Sequence, residues 1–191
     1  MRLFLVILFS AILNMVSAQS AGSMLKVGNT APDFSGIDQS GTQIMLGESL
    51  KSGPVVLIFF RGSWCPYCNR HLSQLQDSLS LIIEKGASVI TVSPQLSEYA
   101  EKTIDKTGAT FSILHDKDYK IMDDYHVSFQ LDEKTIRRYS RFNLDEVNGN
   151  EDNMLPVPAT FIIDKDGKIV YIQYDPDYKN RSTVAEILNY L

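Results

Sequence analysis

Arg61-Gly62-Ser63-Trp64-Cys65-Pro66-Tyr67-Cys68 carries both cysteines of this 191-residue chain. It follows directly on the apolar run Val55-Val56-Leu57-Ile58-Phe59-Phe60, which reads as a central strand buried on both faces. Downstream, Leu72, Leu75, Leu79, Ile82 and Ile83 recur every three to four residues, the pattern of one helix face ending at Gly86. A strand therefore delivers two thiols to the start of a helix. Cys65 falls near the N-cap, Pro66 fits the first turn, and Cys68 lies one turn further in. The unpaired N–H groups and partial positive charge of a helix N-terminus favour a thiolate over a thiol, and the thiolate is the nucleophile. The spacing lets Cys68 close a disulfide on Cys65 after Cys65 has reacted, or the reverse.

Other uses of two cysteines fit less well. A zinc site takes about four ligands, and His71, His115 and His126 supply no second ligand pair at recognisable spacing, so no metal is expected. No cofactor is expected either, since sulfur performs the electron transfer itself. A permanent structural disulfide is the competing reading, because the compartment reads as oxidising.

That compartment is argued from residues 1–18. Met1-Arg2 gives a short positive start, Leu3 to Val16 an apolar region, and Val16-Ser17-Ala18 a small-residue cleavage site. The stretch reads as a signal peptide cleaved after Ala18, and its apolar run is short against the about 20 residues that span a bilayer; an uncleaved anchor is the alternative. The chain is expected to be exported, periplasmic or secreted, with no stable membrane association after cleavage. The net charge of −5 without a basic stripe argues against nucleic acid as a partner.

Residues 19–30 read as a flexible lead-in, and 31–191 as one domain. Ala31-Pro32-Asp33-Phe34 and Gln43-Ile44-Met45-Leu46 flank the turn Asp38-Gln39-Ser40-Gly41 as short strands. Ala87 to Val92 is the next strand, then a helix from Glu98 to Lys106 closed by Gly108, a strand from Phe111 to Leu114 and a helix near Lys117 to Tyr125. The charge-rich segment of about 128–155 reads as an irregular, partly helical insertion beside the site. Its Arg137, Arg138 and Arg141 either fold over the site or form a solvated face. Thr160 to Ile163 and Lys168 to Tyr174 form a hairpin about Asp164-Lys165-Asp166-Gly167, before a last helix from about Ser182. This order predicts an α/β fold, a mixed central sheet with helices on both faces.

In Leu155-Pro156-Val157-Pro158-Ala159-Thr160, Pro158 precedes a strand. A cis bond there is the expectation, with the Val157 backbone turned to hydrogen-bond an extended thiol substrate.

With these residues in view, the mature chain resembles the peroxiredoxin-like branch of the alkyl hydroperoxide reductase/thiol-specific antioxidant (AhpC/TSA) family, within the thioredoxin superfamily. The resemblance rests on Gly28-Asn29-Thr30-Ala31-Pro32-Asp33-Phe34, Phe60 to Cys68, Gly86 to Ile90, Leu155 to Asp164 and Asp175-Pro176-Asp177-Tyr178, in that order. It implies a thioredoxin-like fold and a thiol-based antioxidant enzyme. The leading reading is a peroxidase acting on hydrogen peroxide or organic hydroperoxides through Cys65 and Cys68. The alternative is an oxidoreductase exchanging with protein disulfides. Either needs an external thiol reductant, such as a thioredoxin-like protein.

The sequence departs from true peroxiredoxins twice. Counted from the end of the central strand, Cys68 falls at their attacking cysteine and Cys65 at their active-site hydroxyl. Where their arginine commonly precedes the later strand, this chain has Pro158-Ala159, the thioredoxin pattern, and that register makes Cys65 the attacker. Arg61 is a candidate to replace the missing positive charge, or else projects into solvent. Ser63 is a candidate hydroxyl, and Trp64 a shield over the cysteines.

Overall fold

The computed structural model describes residues 24–191; the signal-peptide reading lies outside the described residues. β1 (Ser35–Ile37) and β2 (Gln43–Met45) pair antiparallel. Asp38 makes their turn, its Oδ1 accepting from the N–H groups of Ser40 (2.9 Å) and Thr42 (3.0 Å). The first strand starts at Ser35, beyond the expected 31–34, where Pro32 lacks a ladder donor. Leu46 opens α1 (Leu46–Leu50) instead of extending β2, which buries its side chain in the core. The end of the expected lead-in is tied down: Gly28 N–H donates to the Ile169 carbonyl (2.8 Å), and Ile169 N–H to the Asn29 carbonyl (2.9 Å).

The cysteine-bearing half follows the expected alternation. β3 (Val55–Phe59) leads to α2 (Pro66–Asp77) and α3 (Leu79–Glu84). β4 (Ser88–Ser93), α4 (Ser97–Thr107), β5 (Ser112–His115) and α5 (Lys120–Asp124) come next. The single helix expected up to Gly86 is broken at Ser78, which leaves helical geometry (φ −113°, ψ 10°) and re-aims the second piece so that Ile82 is buried while Ile83 faces solvent. Gly108 closes α4 in the left-handed region (φ 69°), as a C-terminal glycine can without a Cβ clash.

The segment read as irregular contains β6 (Ser128–Gln130), α6 (Glu133–Tyr139), a 3-10 turn (Ser140–Phe142), α7 (Leu144–Asn148) and β7 (Met154–Pro156), with β6 and β7 paired antiparallel. β8 (Ala159–Ile163), β9 (Ile169–Tyr174) and α8 (Val184–Asn189) complete the chain. The hairpin turn is held by Asp164 Oδ1, which accepts from Asp166 N–H (3.0 Å) and Lys168 N–H (2.8 Å).

The central sheet has the order β5-β4-β3-β8-β9, with β3, β4 and β5 parallel and β8 and β9 antiparallel. β3 lies in the middle and all its residues are buried. Its alternate side chains feed two cores. Val55, Leu57 and Phe59 pack with Leu46, Ile121, Met122 and Tyr125 beneath α1 and α5. Val56 and Ile58 pack with Leu72, Leu75, Ala100 and Ile187 beneath α2, α4 and α8. Each fully buried aliphatic side chain contributes about 1.5–3 kcal/mol, so helices are held on both faces. A third cluster, Leu131, Tyr139, Leu144 and Leu155, sits in the inserted segment, with Trp64 packed against it.

Candidate active site

Parallel strands leave their functional loops at the carboxyl edge, and the segment after β3 is such a loop. Phe60 is still tied to the sheet, its N–H donating to the Val92 carbonyl (3.0 Å). Gly62 then adopts φ 134°, where a Cβ would stand 2.8 Å from Trp64 Nε1 and 3.3 Å from Gln95 Oε1. Gln95, just past the end of β4, clamps the turn: its Oε1 accepts from Ser63 N–H (2.8 Å), while its Nε2 donates to Thr103 Oγ1 (3.0 Å). The Ser63 carbonyl accepts from Asn69 Nδ2 (2.9 Å) and Lys106 Nζ (2.8 Å). Every hydrogen bond seen at Ser63 runs through its backbone, so this residue braces the loop and does not extend a hydroxyl to the sulfurs.

The loop sets Cys65 at the N-cap of α2, with Pro66 in the first turn. Cys65 Sγ accepts from Cys68 N–H (3.4 Å) and from the Cys68 thiol, sulfur to sulfur at 2.7 Å. Both side chains are buried, and both are free thiols. Arg61 is only 4% exposed and turns inward, not into solvent. Its Nη2 donates to Cys65 Sγ (3.3 Å) and its Nη1 to Tyr139 Oη (2.9 Å). The guanidinium also lies 4.0 Å from the ring centre of Tyr178 and 5.2 Å from that of Trp64.

The ion pairs among the described residues all lie elsewhere on the surface, so the anion facing this buried cation is Cys65. Charge and geometry agree. The hydrogen bond from the Cys68 thiol, then the charge and donor of Arg61, outweigh burial and bring the Cys65 pKa down to about 5. Burial, and then the Cys65 sulfur beside it, push Cys68 well above the ordinary thiol range. Burial works against the Arg61 charge, but the neighbouring Cys65 and Cys68 hold its pKa above the ordinary value. Of the two registers open in the sequence, this arrangement fits the one in which Cys65 is the thiolate and Cys68 the proton-bearing partner.

Trp64 stacks on Tyr139 and Phe142, with ring centres 5.1 and 4.9 Å apart, and so joins the loop to the inserted segment. Arg61, Trp64, Tyr67, Tyr139, Phe142 and Tyr178 wall a cavity of about 410 Å³, with Arg138 and Arg141 at its edge. Arg137 instead pairs with Glu133 on the surface. The proline expectation needs correction. The described residues contain no cis peptide bond, so Pro158 is trans. The Val157 N–H is already donated to the Val127 carbonyl (2.7 Å). Pairing of this segment with the strand entry at Val127 consumes the donor that an extended substrate was expected to use.

Sequence reasoning missed Tyr139, Tyr178, Gln95, Lys106 and Arg181, whose Nη2 lies 3.8 Å from Cys68 Sγ. Gln95 had a usable signal, its place directly after a parallel strand. Tyr139 and Phe142 share a three-residue spacing that marks one helical face.

The arrangement is that of a stabilised thiolate, a second thiol in contact and a fixed cation. The sequence profile of the AhpC/TSA family matches residues 27–172. The chain belongs to the AhpC/TSA family. Among curated members and relatives, it is 28% identical over 149 residues to the thiol-disulfide oxidoreductase ResA of Geobacillus kaustophilus, covering 76% of this chain and 68% of that one. It is 26% identical over 167 residues to the peroxiredoxin Bcp of Escherichia coli, covering 87% and 96%. The fold is similar to that of the peroxidoxin BcpB of Mycobacterium tuberculosis, with a TM-score of 0.69 at 22% identity over 88% of this chain and 96% of that one. It also matches the thioredoxin domain of a thiol-disulfide oxidoreductase from Bacteroides vulgatus, with a TM-score of 0.58 at 20% identity over 81% and 93%. This AhpC/TSA chain thus has the thioredoxin-like fold and is a thiol oxidoreductase.

Proposed function

We propose that the protein is an exported thiol-dependent peroxidase that reduces hydrogen peroxide or organic hydroperoxides through Cys65 and Cys68. The Cys65 thiolate attacks one peroxide oxygen, the O–O bond breaks, and the departing oxygen leaves as water or alcohol after taking a proton. Cys65 is left as a sulfenic acid. The Cys68 thiol condenses with it, water is lost, and a Cys65–Cys68 disulfide forms. An external dithiol then returns the pair to its reduced state. The leader at residues 1–18 supports export.

The observation that carries this reading is Arg61. It is buried against Cys65 Sγ and its Nε is buried without a partner. One group thus holds the thiolate and keeps an N–H free for the departing oxygen, the two tasks of the missing family arginine. Both cysteines are buried and not at the surface, which suits a small peroxide better than a folded protein's disulfide. The occupied Val157 N–H points the same way.

Disulfide exchange is the second reading, favoured by the Cys-x-x-Cys pair and the similarity to ResA. Rapid mixing of the reduced protein with hydrogen peroxide, followed by Trp64 fluorescence, separates the two. A rate orders of magnitude above that of free cysteine is expected. Cys68→Ser should accumulate sulfenic acid at Cys65, and Cys65→Ser should not react. A rate like free cysteine's, with rapid reduction of protein disulfides, would transfer the assignment to the second reading.

A further inference from the structure

Cys68 has to act as a nucleophile, and in the reduced protein its surroundings oppose this. Its side chain is 1% exposed. Its thiol donates to Cys65 Sγ at 2.7 Å, which commits the proton to that sulfur. Burial first, and then Cys65 as acceptor and as negative charge, push Cys68 well above the ordinary thiol range. A thiol so placed offers almost no thiolate at neutral pH, and the thiolate is the reactive form. Both contributions of Cys65 depend on its negative charge, however, and fall away when it becomes a neutral sulfenic acid.

What then bears on Cys68 is cationic. Arg181, in the segment between β9 and α8, points Nη2 at Cys68 Sγ from 3.8 Å. It is half-buried, and its Nη1 donates to the neighbouring Asn180 carbonyl (3.0 Å). No carboxylate takes its charge, since the ion pairs among the described residues are Lys51–Glu48, Lys120–Asp124 and Arg137–Glu133. Arg61, held at Cys65 Sγ, is a second cation that favours the Cys68 thiolate. His71, three residues further along α2, adds no charge at neutral pH, because burial, and then the charge of Arg181, bring its pKa down to about 4.

We infer that Arg181 is a catalytic residue of the resolving step, holding Cys68 Sγ as a thiolate once Cys65 has been oxidised. The inference rests on the proposed order in which Cys65 reacts first. Cys68 gives up its proton, and its sulfur attacks Cys65 Sγ. The S–S bond forms as the S–O bond breaks, and the hydroxyl leaves as water with the proton that Cys68 released. Sulfur is oxidised at Cys68 and reduced at Cys65, so no further oxidant or reductant enters. Arg61 and Arg181 thus divide the two steps: one prepares the thiolate that meets the peroxide, the other the thiolate that follows it. The same role applies where Cys65 carries a mixed disulfide, the leaving group then being the substrate's thiolate.

Rapid mixing of the reduced full chain with hydrogen peroxide, followed by Trp64 fluorescence, should show oxidation of Cys65 and then closure of the disulfide. Arg181→Met should slow the second phase several-fold at neutral pH and move its pH inflection upward by roughly 1–3. The slowing is smaller than the loss of thiolate, because a more basic sulfur is the better nucleophile. Sulfenic acid trapped with dimedone, and located by mass at Cys65, should accumulate in parallel. Arg181→Lys keeps the charge and should recover part of the rate. Lys179→Ala removes an exposed cation two residues away, and its second phase should match the parent's. A second phase unchanged in Arg181→Met, or slowed equally by Lys179→Ala, would overturn the inference. A neutral dipyridyl disulfide separates it from the peroxidase reading. Cys65 captures half of the reagent and releases one thiopyridone, and attack by Cys68 releases the other. A slower second release in Arg181→Met, in a protein that ignores peroxide, would remove the peroxidase reading and leave the role of Arg181 standing. Rapid peroxide oxidation with second phases indifferent to Arg181 would do the opposite.

Discussion

Arg61 Nη2 stands 3.3 Å from Cys65 Sγ, and that sulfur is the counter-charge of a guanidinium buried away from every carboxylate ion pair described. A cation at this range lowers a thiol pKa by roughly 1–3. The sign follows directly: with a pKa near 5, Cys65 is already a thiolate at neutral pH. Its rate with peroxide or an alkylating agent should be flat across neutral pH and fall about tenfold per pH unit only below about 5. Arg61→Met should move that inflection upward by roughly 1–3 and lower the neutral-pH rate accordingly. Alkylation against pH, with the modified residue mapped by mass, follows Cys65 while leaving the Cys68 thiol that helps set its pKa in place. An unchanged inflection in the Arg61 variant would show that the helix terminus and Cys68, not Arg61, set the pKa.

Tyr139 holds the other end of the same guanidinium, its Oη accepting from Nη1 at 2.9 Å. Tyr139→Phe keeps the ring that stacks on Trp64 and deletes only the oxygen. Loss of a hydrogen bond to a charged donor should cost about 1.5–3 kcal/mol. Peroxide turnover should fall several-fold through misplacement of Arg61, with the Trp64 emission spectrum little altered. Denaturant unfolding together with peroxide kinetics checks both parts. A variant as stable and as fast as the parent would mean that the inserted segment does not position Arg61.

The fold was readable because its signals are local. The six apolar residues Val55 to Phe60 announce a central strand, and the spacing from Leu72 to Ile82 announces the helix packed on it. The cysteine pair was readable for the same reason, since four consecutive residues fix an N-cap and the next turn. What surrounds the pair was not, because Tyr139 is 78 positions from Arg61 and Arg181 is 113 from Cys68. Such contacts depend on how the inserted segment and the α8 entry fold back, and neither hydrophobic period nor turn chemistry encodes that. Ser78 shows the limit at short range: the apolar repeat continues across it while the backbone breaks.

Gly62 has φ 134°, a conformation that costs a non-glycine residue about 1–3 kcal/mol. A Cβ there would also press on Trp64 Nε1 at 2.8 Å. Gly62→Ala should therefore destabilise the protein by at least that amount, displace Trp64 and loosen the clamp between Ser63 and Gln95. Trp64 fluorescence should shift in the native state, and peroxide turnover should fall more than stability alone explains. Unchanged fluorescence with parental kinetics would show that the loop can adapt at no cost.

Pro158 gives the sharpest contrast between the sequence and the folded chain. Its placement before a strand, one residue after Val157, invites a role in gripping substrate. In the structure the Val157–Pro158 bond is trans and the Val157 N–H is spent on the Val127 carbonyl at 2.7 Å. What Pro158 supplies is the absence of a donor at a buried position. Pro158→Ala introduces one backbone N–H there, and an unpaired buried amide costs roughly 1–3 kcal/mol. Stability should drop by about that much, while the peroxide rate of the folded fraction stays within about twofold. Calorimetry and rapid-mixing kinetics on the same preparation separate the two effects. A large loss of peroxide rate without loss of stability would restore Pro158 to the substrate site and weaken the peroxidase reading built on Arg61.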